Sequence, residues 1–551
     1  MGRTMERADL KKDISHANEC ELADVDADGK VRGGLEGLTI DDVLPKLDRP
    51  WYRVAHLRHL NFVILAVLLT PATNGFDGSM MNGLQTLPIW QKGEHAITLS
   101  LLTFAELCYA DFNHPQGGIL GLLSTINTIG FITALPFTGW IADFLGRKRP
   151  VQIGNVIMII GAVVQSSAKN ISMFIAARFL LGFGLSIACV AAPALVAELT
   201  YPSHRGKMTA LYNTNWFVGA IIAAWSTFGT FRINNSWSWR LPSLLQCLPS
   251  VIQLVISIWL PESPRWLIHK DRREEAIQIL AKHHAGGDVN SALVLFEVSE
   301  ISAAIKAEEA QNQTKYSAFF KSPGNRHRLF VIIVLGIMQQ ASGNTIISYY
   351  LALILKQIGI TSPTAQNGIN GGLQIFNYLA ALSGATLVDK LGRRTLILSG
   401  LIGMFISYLL FNEQQGYKHH GLGVGVVVMI FAFNFFYAIS LTPIPFLYLT
   451  EVLPYSLRAK GMMISSFSGI AIGVMLGFVN PVALENIGWK YYIVSVVLLV
   501  VWILCAWFWF PETKDRSLEK IAQVFDGENA LLGDLDREAA TVQSEVIMAK
   551  H

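Results

Sequence analysis

Apolar residues in this chain come in long blocks, not in the alternating or one-faced patterns of soluble strands and helices. A helix that crosses a bilayer needs about 20 predominantly apolar residues. Runs near that length fall at 60–82, 118–141, 150–168, 171–195, 207–230 and 241–260. Six more follow at 329–355, 368–388, 395–412, 422–449, 461–484 and 489–510. Between the two sets lies a polar stretch, 261–326, in which 271–283 and 291–311 are rich in Glu, Lys and Ala and predict surface helices. The pattern predicts an all-α polytopic membrane protein of twelve spans, numbered 1 to 12 in chain order. Its predicted organisation is a cytoplasmic N-terminal tail (1–57), a six-helix bundle (58–260), a helical linker (261–326), a second six-helix bundle (327–510) and a cytoplasmic C-terminal tail (511–551).

Composition points the same way. Of 551 residues 52% are hydrophobic and only 15% are charged, where a soluble chain carries about 25%. A net charge of +3 gives no basic surface for nucleic acid. Loop charge orients the spans. Arg147, Lys148, Arg149, Arg205, Lys207, Lys390, Arg393, Arg394, Arg458 and Lys460 fall in loops of one side, and the other side has isolated cations such as Lys92, Lys169, Lys356 and Lys418. Cations gather on the cytoplasmic side, so both termini and the linker are expected inside, in a multi-pass protein of the plasma membrane. The 86–117 stretch is then a long outer loop, and Asn234-Asn235-Ser236 is an outward sequon close to the bilayer. The N-terminal stretch has no basic region followed by an apolar core and cleavage site, so no cleaved leader is expected.

The two halves repeat each other. Asp143-Phe-Leu-Gly-Arg-Lys-Arg149 after span 2 recurs as Asp389-Lys-Leu-Gly-Arg-Arg394 after span 8, an offset of 246 residues. Glu198 with Arg205 recurs as Glu451 with Arg458, an offset of 253. Pro261-Glu-Ser-Pro-Arg265 recurs as Pro511-Glu-Thr-Lys514, an offset of 250. Duplicated halves with a substrate site between them are a common plan for secondary transporters. Carboxylates and arginines at these span ends can pair across the halves when the inner side shuts and part when it opens. The alternative is that they fix topology and cap helices.

These motifs, in this order, resemble the sugar porter family of the major facilitator superfamily, from about residue 60 to 520. The resemblance implies two six-helix bundles, a small helical domain between them, and alternating access. It implies an inner gate formed by Arg147, Glu198, Arg205, Glu262, Arg393, Glu451 and Arg458, to which the paired motifs add Asp143 and Asp389.

Ionisable side chains inside spans are costly and mark function. Asp77, in Asn74-Gly-Phe-Asp-Gly78 of span 1, and Arg178, in Arg178-Phe-Leu-Leu-Gly182 of span 4, stand out. At 1.5 Å per residue Asp77 lies ~25 Å along span 1, and Arg178 lies ~10 Å below the outer surface. In a core about 30 Å thick these depths nearly coincide. A carboxylate there stays ionised beside the guanidinium and takes up a proton once released from it, which is what proton symport needs. The alternative is a static pair or an Asp capping a broken helix. Proton-coupled sugar porters carry an aspartate at the matching place.

Neutral amides form a second group: Asn213 and Asn215 in span 5, Gln339, Gln340 and Asn344 in span 7, Gln374 and Asn377 in span 8, and Asn434 in span 10. A carboxamide both donates and accepts, as sugar hydroxyls do, without the cost of burying a charge. Thr345, Tyr349 and Tyr350 follow the span 7 amides, with Tyr349 a further substrate-binding candidate, and aromatic rings suit the C–H faces of a sugar, with Trp216, Phe376, Phe436, Tyr437 and Phe446 as candidates. Any single amide could instead join helices. The resemblance implies sugar contacts at Asn213, Gln339, Gln340 and Asn377. The order Gly343-Asn344-Thr345 departs from the Gly-Ile-Asn of hexose facilitators and looks like fungal lactose and cellodextrin permeases, and Phe446 replaces a tryptophan common in span 10. Both changes favour a disaccharide.

Other features carry less. Cys20, Cys108, Cys189, Cys247 and Cys505 form no CxxC pair, and His283-His284 and His419-His420 fall in predicted surface segments without further ligands. No metal, no cofactor and no ATP-binding loop is expected, and no nucleophile–base set suggests an enzyme. The reading is a proton-coupled sugar symporter whose partners are sugar, protons and the lipid bilayer. A hexose, polyol or secondary-metabolite transporter on the same scaffold, or a nutrient sensor, are the rival readings.

Overall fold

A computed structural model describes residues 44–45, 50–85, 117–233, 235–311, 316–416, 422–514 and 518–526. Cys20, Cys108, Lys92, Lys418, Asn234, His419 and His420, most of both tails and all but Gly117 of the 86–117 loop lie outside the described residues, as do the side chains of Asn213, Lys207 and Asp389.

Among the described residues the chain is helical, without strands. The twelve spans are Ala55–Val67 with Thr70–Gln85, Gly117–Leu145, Lys148–Ser166, Ile171–Leu199, Arg205–Thr230, Trp237–Leu245 with Leu248–Ile256, Pro323–Ala341 with Asn344–Gln357, Pro363–Leu391, Arg393–Gly416, Leu422–Ser440 with Ile444–Val452, Tyr455–Ile487 and Tyr491–Trp509. Among the described residues nine are long and apolar enough to cross a bilayer on composition alone. Spans 3, 5 and 8 fall short of that measure. Spans 5 and 8 carry many of the amides, which lower their mean hydropathy.

The halves are built alike. Span 1 packs on span 5 as span 7 packs on span 11, and span 2 packs on span 4 as span 8 packs on span 10. The halves meet through span 2 against span 11 and span 5 against span 8, which exchange under the internal repeat.

Spans 1, 6, 7 and 10 are each interrupted. The bilayer interior offers no water to backbone groups freed at a break, so side chains must serve them. At the span 1 break the Asn215 amide donates to the Leu68 carbonyl at 3.0 Å, and Gln253 donates to Thr70 Oγ1 at 2.7 Å. Asn215 is thus a helix–helix tie. Span 7 breaks at Gly343, which is left-handed (φ +93°) and whose carbonyl accepts from the Tyr408 hydroxyl at 2.9 Å. Span 10 breaks just before Pro443 and Pro445, which cannot continue the ladder.

The chain separates into two compact units: residues 1–59 with 264–310, and residues 60–263 with 311–551. In the smaller unit, helices Arg273–His284 and Ala292–Gln311 share a core of Leu280, Ala281, Val294 and Val298. His283 and His284 differ from their expected surface position: both are buried. The His284 Nδ1 pairs with Glu297 Oε2 at 2.8 Å, and the His283 ring stacks on His59 with centroids 6.0 Å apart. Burial follows from helix phase, since both continue the face that holds Leu280 and Ala281.

Candidate functional site

Span 1 delivers Asp77, and span 4 delivers Arg178, to one buried point. Arg178 Nη2 lies 2.9 Å from Asp77 Oδ2, and the guanidinium is fully buried. Two amides complete the shell. Asn127 of span 2 donates to Asp77 Oδ2 at 2.7 Å, and Gln246, at the break of span 6, donates to Oδ1 at 3.0 Å. Gln165 of span 3 in turn donates to Gln246 Oε1 at 3.4 Å. One carboxylate therefore takes hydrogen bonds from three spans, each from a donor. Span 2 comes this close because position 182 is glycine: a Cβ there would sit 1.8 Å from the Asn127 carbonyl and 2.5 Å from its Oδ1. Asn127, Gln165 and Gln246 are absent from the sequence reading. Each is a lone amide in or beside an apolar run, the same feature that singles out Asn377.

Tyr349 of span 7 is the neighbour that joins this cluster to the amides. A Cβ at Gly78, the residue after Asp77, would lie 3.9 Å from the Tyr349 hydroxyl and 3.5 Å from the Trp216 ring of span 5. Tyr349 lies within electrostatic range of both Asp77 and Arg178. On the same stretch of span 7, Asn344 accepts from Ser348 at 3.2 Å, and the Tyr437 hydroxyl of span 10 meets the Asn344 side chain and donates to the Gln339 carbonyl at 3.1 Å. The Gln339 amide donates to the Leu441 carbonyl at 3.4 Å, and Gln340 lies against span 11 at Gly473. Asn377 donates to Asn434 Oδ1 at 3.3 Å, and both are buried. Phe446 is 46% exposed, the most open of the aromatic candidates.

At the ends that carry the repeated motifs, the contacts also repeat. Gly146 and Gly392 have φ of +95° and +92°, a conformation that glycine adopts without strain, and a Cβ at either would strike the carboxyl of Glu262 or Glu512. Those carboxylates cap helix N-termini. Glu262 accepts from the backbone N–H of Arg147 and Lys148 at 2.8 and 3.0 Å, and Glu512 accepts from Arg393 and Arg394 at 2.9 and 3.1 Å. Burial alone would raise the Glu512 carboxyl, but the backbone N–H groups of Lys514, Arg393, Thr395 and Thr513 outweigh it and hold it below the usual carboxylate range. Ser263 donates to Glu198 as Thr513 donates to Glu451. Arg147 pairs with Asp143 at 3.1 Å, and Arg393 pairs with Glu451 at 2.9 Å. Arg205 opens span 5 and Arg458 sits in the first turn of span 11. The sequence reading pairs these charges across the halves. In this conformation each of these hydrogen bonds and ion pairs stays within one half, and Glu262 grips backbone, not an arginine side chain.

The opposite end is tied across the halves. Asn82 of span 1 donates to the Ser348 carbonyl and accepts from the Leu351 N–H of span 7; within the second half, the Tyr350 hydroxyl donates to the Gly477 carbonyl of span 11 at 2.9 Å.

Among known proteins, the family described as "Sugar (and other) transporter" matches residues 63–525. The chain is 28% identical over 440 residues to the MFS-type transporter oryC of Aspergillus oryzae, covering 76% of this chain and 79% of that protein. It is 28% identical over 442 residues to a high-affinity glucose transporter of Kluyveromyces lactis, covering 75% and 79%. Over 473 residues it is 28% identical to the major myo-inositol transporter IolT of Bacillus subtilis, covering 85% and 94%. The inward-open structure of the xylose transporter XylE from E. coli superposes with a TM-score of 0.67 at 20% identity, covering 85% of this chain and 100% of that one. With its duplicated six-span halves and a family match running from span 1 to the helix after span 12, this chain belongs to the sugar porter family of the major facilitator superfamily and is a multi-pass membrane transporter, not an enzyme.

Proposed function

We propose that the protein is a proton-coupled sugar symporter of the plasma membrane, with both termini cytoplasmic, that imports a disaccharide such as lactose or a cellodextrin by alternating access. The observation that carries this reading is the buried carboxylate of Asp77, held by Arg178, Asn127 and Gln246 and one ring away from the amides of span 7. A buried ion pair is strongly destabilised when one partner is lost. Protonation of Asp77 would remove half of this pair, so it would favour a different arrangement of spans 1 and 4. Tyr349, beside both Asp77 and the span 7 amides, would make that change felt at the sugar. Sugar hydroxyls would bond Gln339, Gln340, Asn344 and Asn377, with Asn213 as a further contact, while Tyr349, Tyr437 and Phe446 would pack on ring faces.

The tie at Asn82 closes the outer end in this conformation. Arg147, Arg393, Glu198, Glu451, Arg205 and Arg458, with Asp143 and Asp389, would re-pair across the halves to close the inner end. Glu262 and Glu512 anchor the loops on which those arginines ride. The disaccharide preference draws on the Gly343-Asn344 order and on Phe446. Hexose transport is the second reading, favoured by the glucose transporter of Kluyveromyces lactis among the relatives.

The test is uptake of labelled lactose, cellobiose and glucose by the purified protein in proteoliposomes, with and without a protonophore. Asp77→Asn should abolish proton-driven accumulation and keep sugar exchange. Accumulation that survives this substitution overturns the coupling role, and the preferred labelled sugar decides between the two substrate readings.

A further inference from the structure

Span 8 carries more amides than a single sugar ring can use. Gln366, Asn370, Gln374 and Asn377 follow at i, i+4, i+8 and i+11, which places them along one face of the helix. They are 1%, 2%, 6% and 6% exposed, whereas Ile375 and Leu379 on the opposite face are 39% and 60% exposed. The amide face therefore looks into the protein. At 1.5 Å per residue it runs about 16 Å, from near the start of span 8 to its middle. Beyond Asn377 the same face turns small and apolar, and Ala380 and Ala381 pack on Phe217 and Ile439.

Each amide is used at one end only. Gln366 donates to the Ile360 carbonyl at 2.6 Å, Gln374 donates to Asn370 Oδ1 at 3.3 Å, and Asn377 donates to Asn434. The buried atoms Gln366 Oε1, Asn370 Nδ2, Gln374 Oε1 and Asn377 Oδ1 have no hydrogen-bond partner among the described residues. Leaving such groups unserved at membrane depth is costly. Three of the four atoms are acceptors and one is a donor, and no charge stands among them. Hydroxyl groups, which donate and accept, fit that set, while ions do not.

We infer that Gln366, Asn370 and Gln374 form a second carbohydrate subsite, in line with Asn377 on the side of the central site away from the repeated motifs, and that it takes the second ring of a disaccharide. The inference rests on the sugar symporter reading and gives the disaccharide preference a structural location. Spacing supports it further. The face is continuous with Asn377, so one elongated glycoside can engage both regions at once, and a single ring cannot reach Gln366 from Asn377.

The experiment uses the full chain in proteoliposomes and reads KM for cellobiose, lactose and glucose in the same preparation. Asn370→Ala and Gln374→Ala should each raise the disaccharide KM relative to the glucose KM by roughly 3- to 10-fold, the effect of one lost hydrogen bond. Taking the ratio within one variant cancels differences in folding and expression. If an alanine variant does not reach the membrane, Asn370→Ser and Gln374→Asn, which keep polarity but shift its position, carry the same readout. An unchanged ratio overturns the subsite, and so does a wild-type protein that moves single-ring sugars only. A wild-type protein that moves no sugar overturns the symporter reading instead.

Discussion

The side chain of Asn82 on span 1 completes the backbone of span 7 at Leu351. Its Oδ1 accepts from the Leu351 N–H at 3.1 Å, and its Nδ2 donates to the Ser348 carbonyl. Between those two residues Tyr350 leaves helical geometry (φ −129°), so the local ladder is interrupted. A residue of one half thus repairs a kink in the other, and Asn82 is 2% exposed. Asn82→Leu should leave both backbone groups unserved, which costs about 1–3 kcal/mol. In the proposed alternating-access cycle the halves part at this end and the tie breaks, so that loss should shift the equilibrium toward the state open there by roughly 5- to 150-fold. Spin labels at Arg232→Cys and Lys356→Cys, at the ends of spans 5 and 7, would report it as a population at longer distance. An unchanged distance distribution would refute the clamp.

Much of this fold is legible in the chain because a bilayer forces a crude rule on it: about 20 apolar residues per crossing. The rule is silent on breaks. Span 1 is interrupted at Leu68 and span 7 at Gly343, yet each reads as one apolar run, since the breaks are served by Asn215, Gln253 and Tyr408 from other spans. The Asp77–Arg178 contact could be reasoned out because two charges at similar depth in hydrocarbon have few other partners. Asn127 and Gln246 could not, because a lone amide in an apolar run looks the same whether it ties helices, as Asn215 does, or serves a carboxylate. The motif carboxylates divide similarly. Charge spacing suggests cross-half pairing for Glu262, but its cap on Arg147 and Lys148 depends on the left-handed turn at Gly146, a three-dimensional detail.

The proposed coupling at Asp77 gives Asn127 a role that Arg178 cannot share. Every group bonded to Asp77 is a donor, so a protonated Asp77 would need an acceptor. The Asn127 Oδ1 is buried and has no hydrogen-bond partner among the described residues, on the same amide whose nitrogen lies 2.7 Å from Asp77. Rotation of that amide by half a turn would present the oxygen to the new O–H. Asn127→Leu removes both functions at similar volume. It should cut proton-driven accumulation by roughly 10- to 100-fold, equivalent to about 1.5–3 kcal/mol for a hydrogen bond to a charged group, while exchange survives. Gly182→Ala, which crowds this amide, should impair accumulation as well. Normal accumulation in Asn127→Leu would rule the switch out.

Glu512 makes a prediction about acid. Its carboxyl is held low, so the folded state favours the charged form more than the unfolded chain does. For a depressed carboxylate, stability is in full effect above the ordinary carboxylate range and fades as pH falls through it and below. Glu512→Gln should therefore destabilise the protein by about 1 to 2 kcal/mol near neutrality, as expected for a lost cap, and make no difference in strong acid. Thermal unfolding in detergent at pH 7 and at progressively lower pH would show the two curves converge. A difference that persists undiminished in acid would mean that packing, not the charged cap, holds span 9.

His283 gives the opposite kind of titration in the smaller unit. Burial first, then the nearby Lys282, His59, His284 and His56, push it down to about 4. The groups that face it are those same cations and imidazoles, with the Glu297 carboxylate engaged by the adjacent His284. A histidine lowered on folding binds its proton more readily when the structure opens. Between its ordinary range and about 4 the unfolded state holds more protons, so stability falls as pH falls through that window and is complete above it. Acidification from pH 7.5 to 5 should loosen helix Arg273–His284 from His59 at the start of span 1. Hydrogen exchange over residues 273–284, corrected for the intrinsic pH dependence of exchange, would measure this. His283→Phe keeps a ring to stack on His59 but cannot take a proton, so its protection should stay nearly constant over the same range. If the variant loosens with acid as much as the wild type, the sensitivity comes from elsewhere in the unit, with the buried His284–Glu297 pair as the next residues to substitute.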